Sequence, residues 1–417
     1  MPAPTYVFYR RIYMIAAIFG LIIIAVIALL ILWFEGLANT PKRIFICAAL
    51  LALAMILRGM SLDYRTGDYN DFLSHWVQFF RTKGGFEALA YSVGNYNLPY
   101  LYFLALFSYS DVPDLYLIKL LSIFFDVILA WGIARLVNFF SHKRSAVLAA
   151  FFVCLYLPTV YLNGALWGQC DSIYAAFAVW SIVFALGERP LLSVISIALS
   201  FAFKLQAVFI MPVFLVFLFA GKMKWYHLSA FPLTYAVTAL PAVAAGRPFK
   251  DALLLYFNQA NTVGSALNYN SSSVFSLIPW GAEVNEELLS ELGIVLAFLF
   301  LFLLYLHCWL RRRELDNREL LICSLLIAVA VPWFLPHMHD RYFFIADALS
   351  VAVAFAVAPL CFVPVLCSFA SGICYYAYLK MRFLLPLSYG GISLLLVLVS
   401  LLISLMTKNT KKIKKRC

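Results

Sequence analysis

The sequence predicts an all-α polytopic membrane protein, and three observations carry that prediction. Of 417 residues, 65% are hydrophobic and 12% charged, against roughly 45–50% and about 25% in soluble domains. The mean hydropathy is +0.92. The apolar residues fall in continuous runs rich in Leu, Ile, Phe and Ala, without the alternation of a transmembrane β-barrel. A soluble globule of this size cannot hide so much apolar surface, which excludes soluble enzymes, disordered chains and coiled coils. The whole chain, 1–417, reads as one integral membrane domain.

Runs of about 20 apolar residues give about 13 spans, near 12–34, 44–60, 115–139, 146–162, 172–187, 191–203, 207–220, 228–245, 290–310, 319–335, 343–358, 360–378 and 386–406. The first is too long for a signal-peptide core and has no small-residue cleavage site, so it reads as a retained helix. The runs 191–203 and 207–220 are short. They are either two half-depth helices meeting at Lys204 and Gln206 or one long tilted helix.

Three segments are not simple spans: a first loop at 61–114, a second at 246–289, and the tail 407–417. The tail carries six basic residues and reads as a cytoplasmic segment facing anionic lipid, not as a nucleic-acid site. With the tail inside, alternation from the third span onward puts 15 Lys/Arg in the inner segments and 8 in the outer ones; it puts the N-terminus outside, although Arg10 and Arg11 favour the inside. Four polar segments then share the outer face: 67–72, 163–171, 246–289 and 336–341. Most of the nine cysteines sit in apolar runs, and no CxxC pair occurs, so they read as small apolar side chains.

Within 65–86, Phe72, Trp76, Phe79 and Phe80 share one helical face, which predicts an amphipathic interfacial helix ended by Gly84-Gly85. Asp68 opens it, either as an N-cap or as a functional carboxylate. In NYNLPY (95–100), Pro99 can seat a helix start; Tyr96 and Tyr100 suit a membrane boundary or a sugar-stacking site. LWGQCD (166–171) offers Trp167, Gln169 and Asp171, the last also readable as a cap. Lys204 and Gln206 interrupt an otherwise apolar run, and an ionisable residue there tends to be functional. In PHMHDR (336–341), His337 and His339 can be read as a metal pair, but Arg341 with a histidine as an anion site is the better physical reading. Asp126, inside a span, needs a partner; Lys119 lies on the same helical face.

Taken together and in order, GDY (67–69) with HW (75–76), NYNLPY, WGQCD, FKLQ (203–206) and HMHDRYF (337–343) resemble the GT-C superfamily of membrane glycosyltransferases. Within that superfamily the chain resembles bacterial mannosyltransferase-related proteins akin to the second mannosyltransferase of GPI-anchor synthesis. Similar segments (GDYEAQRHW, DYPPL, WGQ-D, FKQ, HVHEK) occur in the ER glucosyltransferases that use dolichyl-phosphate-glucose. The resemblance covers about residues 61–345 and implies a GT-C fold of about 13 spans with a helical outer loop. It implies a polyprenyl-phosphate-sugar donor, a glycan or lipid-linked acceptor, and a site on the outer face of what would be a bacterial plasma membrane. Asp68 takes the place of the catalytic base. GDY and HW stand one residue further apart than in the ER enzymes, which leaves Asp71 as a rival. NLP replaces paired prolines, and Asp340 and Arg341 replace Glu and Lys.

The expected chemistry is displacement with inversion. Arg341, Lys204, His339 and His337 would hold the donor phosphate, and Gln169, Asp171, Gln206, Trp167, Tyr96 and Tyr100 the substrates. No cofactor or metal site is read from the sequence. A Gly-rich phosphate loop and a DxD-like pair are both missing, which disfavours a nucleotide-sugar donor. The rival reading is a transporter or lipid-linked-sugar flippase, for which an internal repeat would speak; the sequence has none.

Overall fold

The computed structural model of the protein describes residues 3–256, 264–279 and 281–413. Parts of the second loop and of the basic tail therefore lie outside the described residues. All 13 apolar runs fold as helix. They are α1 (Ala3–Phe34), α2 (Pro41–Gly59), α5 (Asp114–Asn138), α6 (Arg144–Leu155) with α7 (Pro158–Tyr161), α8 (Asp171–Leu186), α9 (Pro190–Phe203), α10 (Val213–Phe219), α11 (Ala230–Ala244), α13 (Glu286–Leu310), α14 (Asn317–Phe334), α15 (Phe344–Ala356), α16 (Val363–Lys380) and α17 (Ser388–Ile413). Among the described residues, three short helices sit in the loops: α3 (Ser74–Thr82), α4 (Leu98–Phe107) and α12 (Phe249–Leu253).

Among the described residues, seven helical stretches are long and apolar enough to cross a membrane, or eight if the pair bent by 47° at Pro158 counts as one. Among the other runs, several give helices too short to cross on their own, as the sequence already indicates for 191–203 and 207–220. α8, α9 and α15 have 16, 14 and 13 residues, which rise roughly 24, 21 and 20 Å against a hydrocarbon core of about 30 Å. α8 and α15 are buried almost all round, as expected of a helix shielded from lipid by its neighbours. Short central helices leave space at their ends that is walled by protein, and polar side chains can gather there without meeting lipid.

The part of the first loop before α4 folds in three pieces: a π-helical turn (Tyr69–Leu73), α3, and a 3₁₀ stretch (Gly85–Ala90). The helix ends where Gly84-Gly85 predicts, with both glycines at positive φ. The buried face is Leu73, Trp76, Val77 and Phe80. Phe72, expected on that face, is 50% exposed; the π turn adds a residue and swings it outward.

Asp126 is fully buried, but its partner is not Lys119. Arg58 of α2 donates to its Oδ2 from Nε (3.1 Å) and Nη2 (2.9 Å), and Ser172 donates to Oδ1 at 2.5 Å. Sequence spacing identifies neighbours on one helix and cannot see a guanidinium arriving from another. Removing either member would strand a charge in the interior.

Candidate active site

The polar segments converge at the ends of the short helices. Asp68 follows Gly67 at a helix start, with helical backbone angles, and its side chain caps nothing. Thr66 fills that role, its Oγ1 accepting from Tyr69 N at 3.4 Å. The Asp68 carboxylate instead turns toward the bundle. Trp167 Nε1 donates to Oδ2 at 2.9 Å, Gln169 Nε2 donates to the same oxygen, and Tyr378 OH donates to Oδ1 at 2.5 Å. All three donors are neutral, so they orient the carboxylate without pairing its charge. A carboxylate has about four lone-pair positions; these three bonds leave one open, and Asp68 is partly exposed. Asp71, the rival, is exposed and its carboxylate makes no hydrogen bond among the described residues.

The donors are themselves fixed. Residues 162–167 form a π turn that Gly168 ends at φ +79°, a left-handed conformation that suits glycine. Trp167 is buried and stacks on Tyr378, with ring centres 4.4 Å apart and planes 16° apart. Tyr96 OH donates to Gln169 Oε1 at 2.9 Å, which aims the amide's NH₂ at Asp68. Tyr100 is buried and packs its ring edge-on against Tyr96 at 5.0 Å.

Two cations lie behind this group. α9 stops at Phe203, Lys204 is extended (φ −153°, ψ 132°), and a 3₁₀ turn, Leu205–Phe209, follows. The broken-helix alternative is therefore the one adopted. Lys204 pairs with Asp171, which is the first residue of α8 and not its cap. An acid at one helix N-terminus and a base at the other's C-terminus both suit the helix dipoles. Asn163 Nδ2 donates to Asp171 Oδ2 at 2.7 Å. Lys204 is thus already paired with a carboxylate, as a charge at this depth requires.

Arg341 is held more loosely. It lies 3.9 Å from Asp171 and 3.3 Å from Asp340, and its Nε has no hydrogen-bond partner. Its guanidinium sits 5.4 Å from the centre of the Trp167 ring, so one indole touches both Asp68 and Arg341. Of its five N–H groups, Nη1 donates to Asp340 Oδ1 at 3.3 Å while the buried Nε finds no acceptor, so the guanidinium is only partly paired.

The segment carrying Arg341 is pinned by a two-residue parallel pairing of β1 (Asn268–Tyr269) with β2 (Met338–His339). His339 stacks on Tyr269 at 4.7 Å. Burial, with Arg341 and Lys204 nearby, pushes its pKa down to about 4. A neutral imidazole is thereby favoured at physiological pH, which can still offer a hydrogen bond. His337 stands at φ +61°, its Nδ1 2.8 Å from Ala266 O, which fastens the two loops together. Gln206 lies in the 3₁₀ turn, its Oε1 buried without a partner. Among the described residues no group of three His, Cys, Asp or Glu is placed to hold a metal ion.

Tyr378 is a site residue that the sequence does not single out. It lies in a run that reads as an ordinary span with boundary tyrosines, beyond the stretch covered by the resemblance. Nothing in the sequence marks it as a partner of Asp68.

Asp340 supplies a pH dependence. Burial is the main cause that raises its pKa to about 7, Asp68 and Asp171 add to the rise, and Arg341 opposes it. Folded protein holds this proton up to about pH 7, whereas an unfolded Asp releases it near about 3.9. Its contribution to stability is complete below the lower value and is lost as pH rises through the upper one. Once ionised, Asp340 competes for Arg341. The apparent affinity for an anionic donor should fall between about pH 6 and pH 8, and Asp340→Asn should flatten that profile. A donor KM that does not change with pH in the wild type would contradict this coupling.

An all-α membrane bundle that brings an oriented carboxylate close to a partly unpaired guanidinium defines a class, a polytopic membrane protein with a polar site at the ends of its short helices. The particular family follows from comparison: the profile of glycosyltransferase family 87 matches residues 95–336. The chain belongs to that family and is a membrane glycosyltransferase of GT-C type. The matched stretch includes Tyr96, Tyr100, Trp167, Gln169, Asp171, Lys204 and Gln206; it begins after Asp68 and ends before His337, His339 and Arg341. No curated protein matches the chain.

Proposed function

We propose that the protein moves a hexose of mannose or glucose type from a polyprenyl-phosphate-sugar to a hydroxyl of a lipid-linked or cell-surface glycan on the outer membrane face. The observation that carries this reading is the arrangement of Asp68. It is oriented by three neutral donors, keeps one lone pair open, and shares Trp167 with Arg341. The open lone pair takes the acceptor's proton as its oxygen bonds to the anomeric carbon. The C1–O bond to phosphate breaks, and Arg341 stabilises the charge left on the lipid phosphate. Phosphate is already a good leaving group, so no general acid is asked of the chain. The excess of Lys/Arg in the inner segments supports the outward orientation, and the plasma membrane of a bacterium is the proposed location.

Direct displacement inverts the anomeric centre. The experiment is to establish the product's anomeric configuration by NMR, starting from a donor of known configuration. Inversion is expected, and retention would overturn single-step displacement with Asp68 as its base.

A further inference from the structure

The first loop and the WGQ turn come from distant parts of the sequence, yet Asp68 on one meets its donors on the other. A single helix underlies both. Lys119, Ser122 and Asp126 of α5 stand at i, i+3 and i+7, in one polar stripe. Asp126 anchors Arg58, near the end of α2, and Ser172, near the start of α8. Ser122 Oγ donates to Gln169 O at 2.6 Å. Lys119, with no solvent exposure, donates from Nζ to Ser61 O at 2.7 Å and Tyr64 O at 2.6 Å. Those carbonyls belong to the turn that leads from α2 to Asp68. The stem of the same lysine runs under the WGQ turn: a Cβ placed on Gly168 would lie 3.6 Å from Lys119 Cγ and 3.8 Å from its Cε. The two segments are also joined directly, Thr66 Oγ1 donating to Trp167 O at 3.1 Å.

We propose that Lys119 is a positioning residue of the transferase: it fixes the 61–64 turn against the WGQ turn and so sets Asp68 at its working distance from Trp167 and Gln169. The proposal rests on the reading of Asp68 as the base. A buried ammonium is costly inside a membrane bundle, and an apolar side chain of similar length would fill the same space. What the charge provides is a clamp on two carbonyls of a short connecting turn. Placement matters at this site, since a displacement of about 1 Å can cost about 10²-fold in rate.

The test uses the full chain in proteoliposomes, with labelled polyprenyl-phosphate-mannose or polyprenyl-phosphate-glucose, whichever the wild type turns over. Lys119→Met should lower kcat about 10–100-fold, leave donor KM nearly unchanged and not lower the thermal midpoint. Lys119→Arg, which can still donate to both carbonyls, should recover part of the rate. A merely structural lysine would give the reverse, a lower midpoint with normal kcat per folded molecule, and that result overturns the proposal. Should Lys119→Met fail to fold, Lys119→Gln, whose shorter amide cannot span both carbonyls, should show the same split between kcat and KM; normal kcat there overturns the proposal. Asp68→Asn separates the two claims. If it is inactive while Lys119→Met turns over normally, the positioning role falls and the base stands. If Asp68→Asn is active, or the wild type uses neither donor, the functional reading falls and takes the proposal with it.

Discussion

Asp68→Asn is expected to lower turnover about 10²–10⁴-fold, the usual cost of losing a general base, with donor binding nearly intact. The variant should fold. Asp68 caps no helix, Thr66 doing so in its place. The amide oxygen of Asn can still accept from Trp167 and Gln169, and its NH₂ can donate to the Tyr378 hydroxyl. What Asn cannot do is take a proton. Asp71→Asn is the control for the longer spacing between GDY and HW. Its carboxylate is exposed, so the substitution should leave kcat unchanged. Measured kcat and KM for both variants decide the matter: a normal Asp68→Asn with a dead Asp71→Asn moves the base to Asp71, and two normal variants remove the carboxylate mechanism.

Arg341→Ala carries the second large effect. Truncating a desolvated charged group that holds an oppositely charged ligand costs roughly 2–5 kcal/mol, so donor affinity should fall roughly 30-fold or more. Arg341→Lys should restore only part, because an ammonium cannot reproduce the guanidinium fork. Lys204→Ala should act differently, given where the structure places that lysine. It leaves Asp171, 1% exposed, with Arg341 at 3.9 Å as its one remaining cation, and stranding a buried charge typically costs about 3–5 kcal/mol of stability. Arg341→Ala should therefore show mainly in donor KM, and Lys204→Ala in donor KM and thermal midpoint together. An unchanged donor KM in Arg341→Ala would take the phosphate away from this site.

The helices were legible because the apolar runs are continuous, and the break at Lys204 because a lysine and a glutamine interrupt one of them. The meeting of GDY, WGQCD and HMHDR was legible from charge alternation, which sorts segments by face. Distances were not, since no local pattern reports them. Arg58 reaches Asp126 across 68 residues, and Tyr378 reaches Asp68 across 310. Both arrive from other helices, in runs that look ordinary. Pairing was hidden for the same reason: Lys204 and Arg341 read as free cations until Asp171 and Asp340 stand beside them. The roles of Asp68 and Asp171 as caps were plausible from position alone, and only the direction of each carboxylate rules them out.

The central claim is that the chain draws its sugar from a lipid phosphate and activates the acceptor with Asp68. The measurement that tests it most directly is radiolabel transfer in proteoliposomes containing only this protein. Labelled polyprenyl-phosphate-mannose, polyprenyl-phosphate-glucose and the corresponding nucleotide sugars are each offered with a lipid-linked glycan acceptor. Label is predicted to reach the acceptor from one of the lipid-phosphate sugars, from no nucleotide sugar, and from none of them with Asp68→Asn. Transfer from a nucleotide sugar, or undiminished transfer by Asp68→Asn, would contradict the claim.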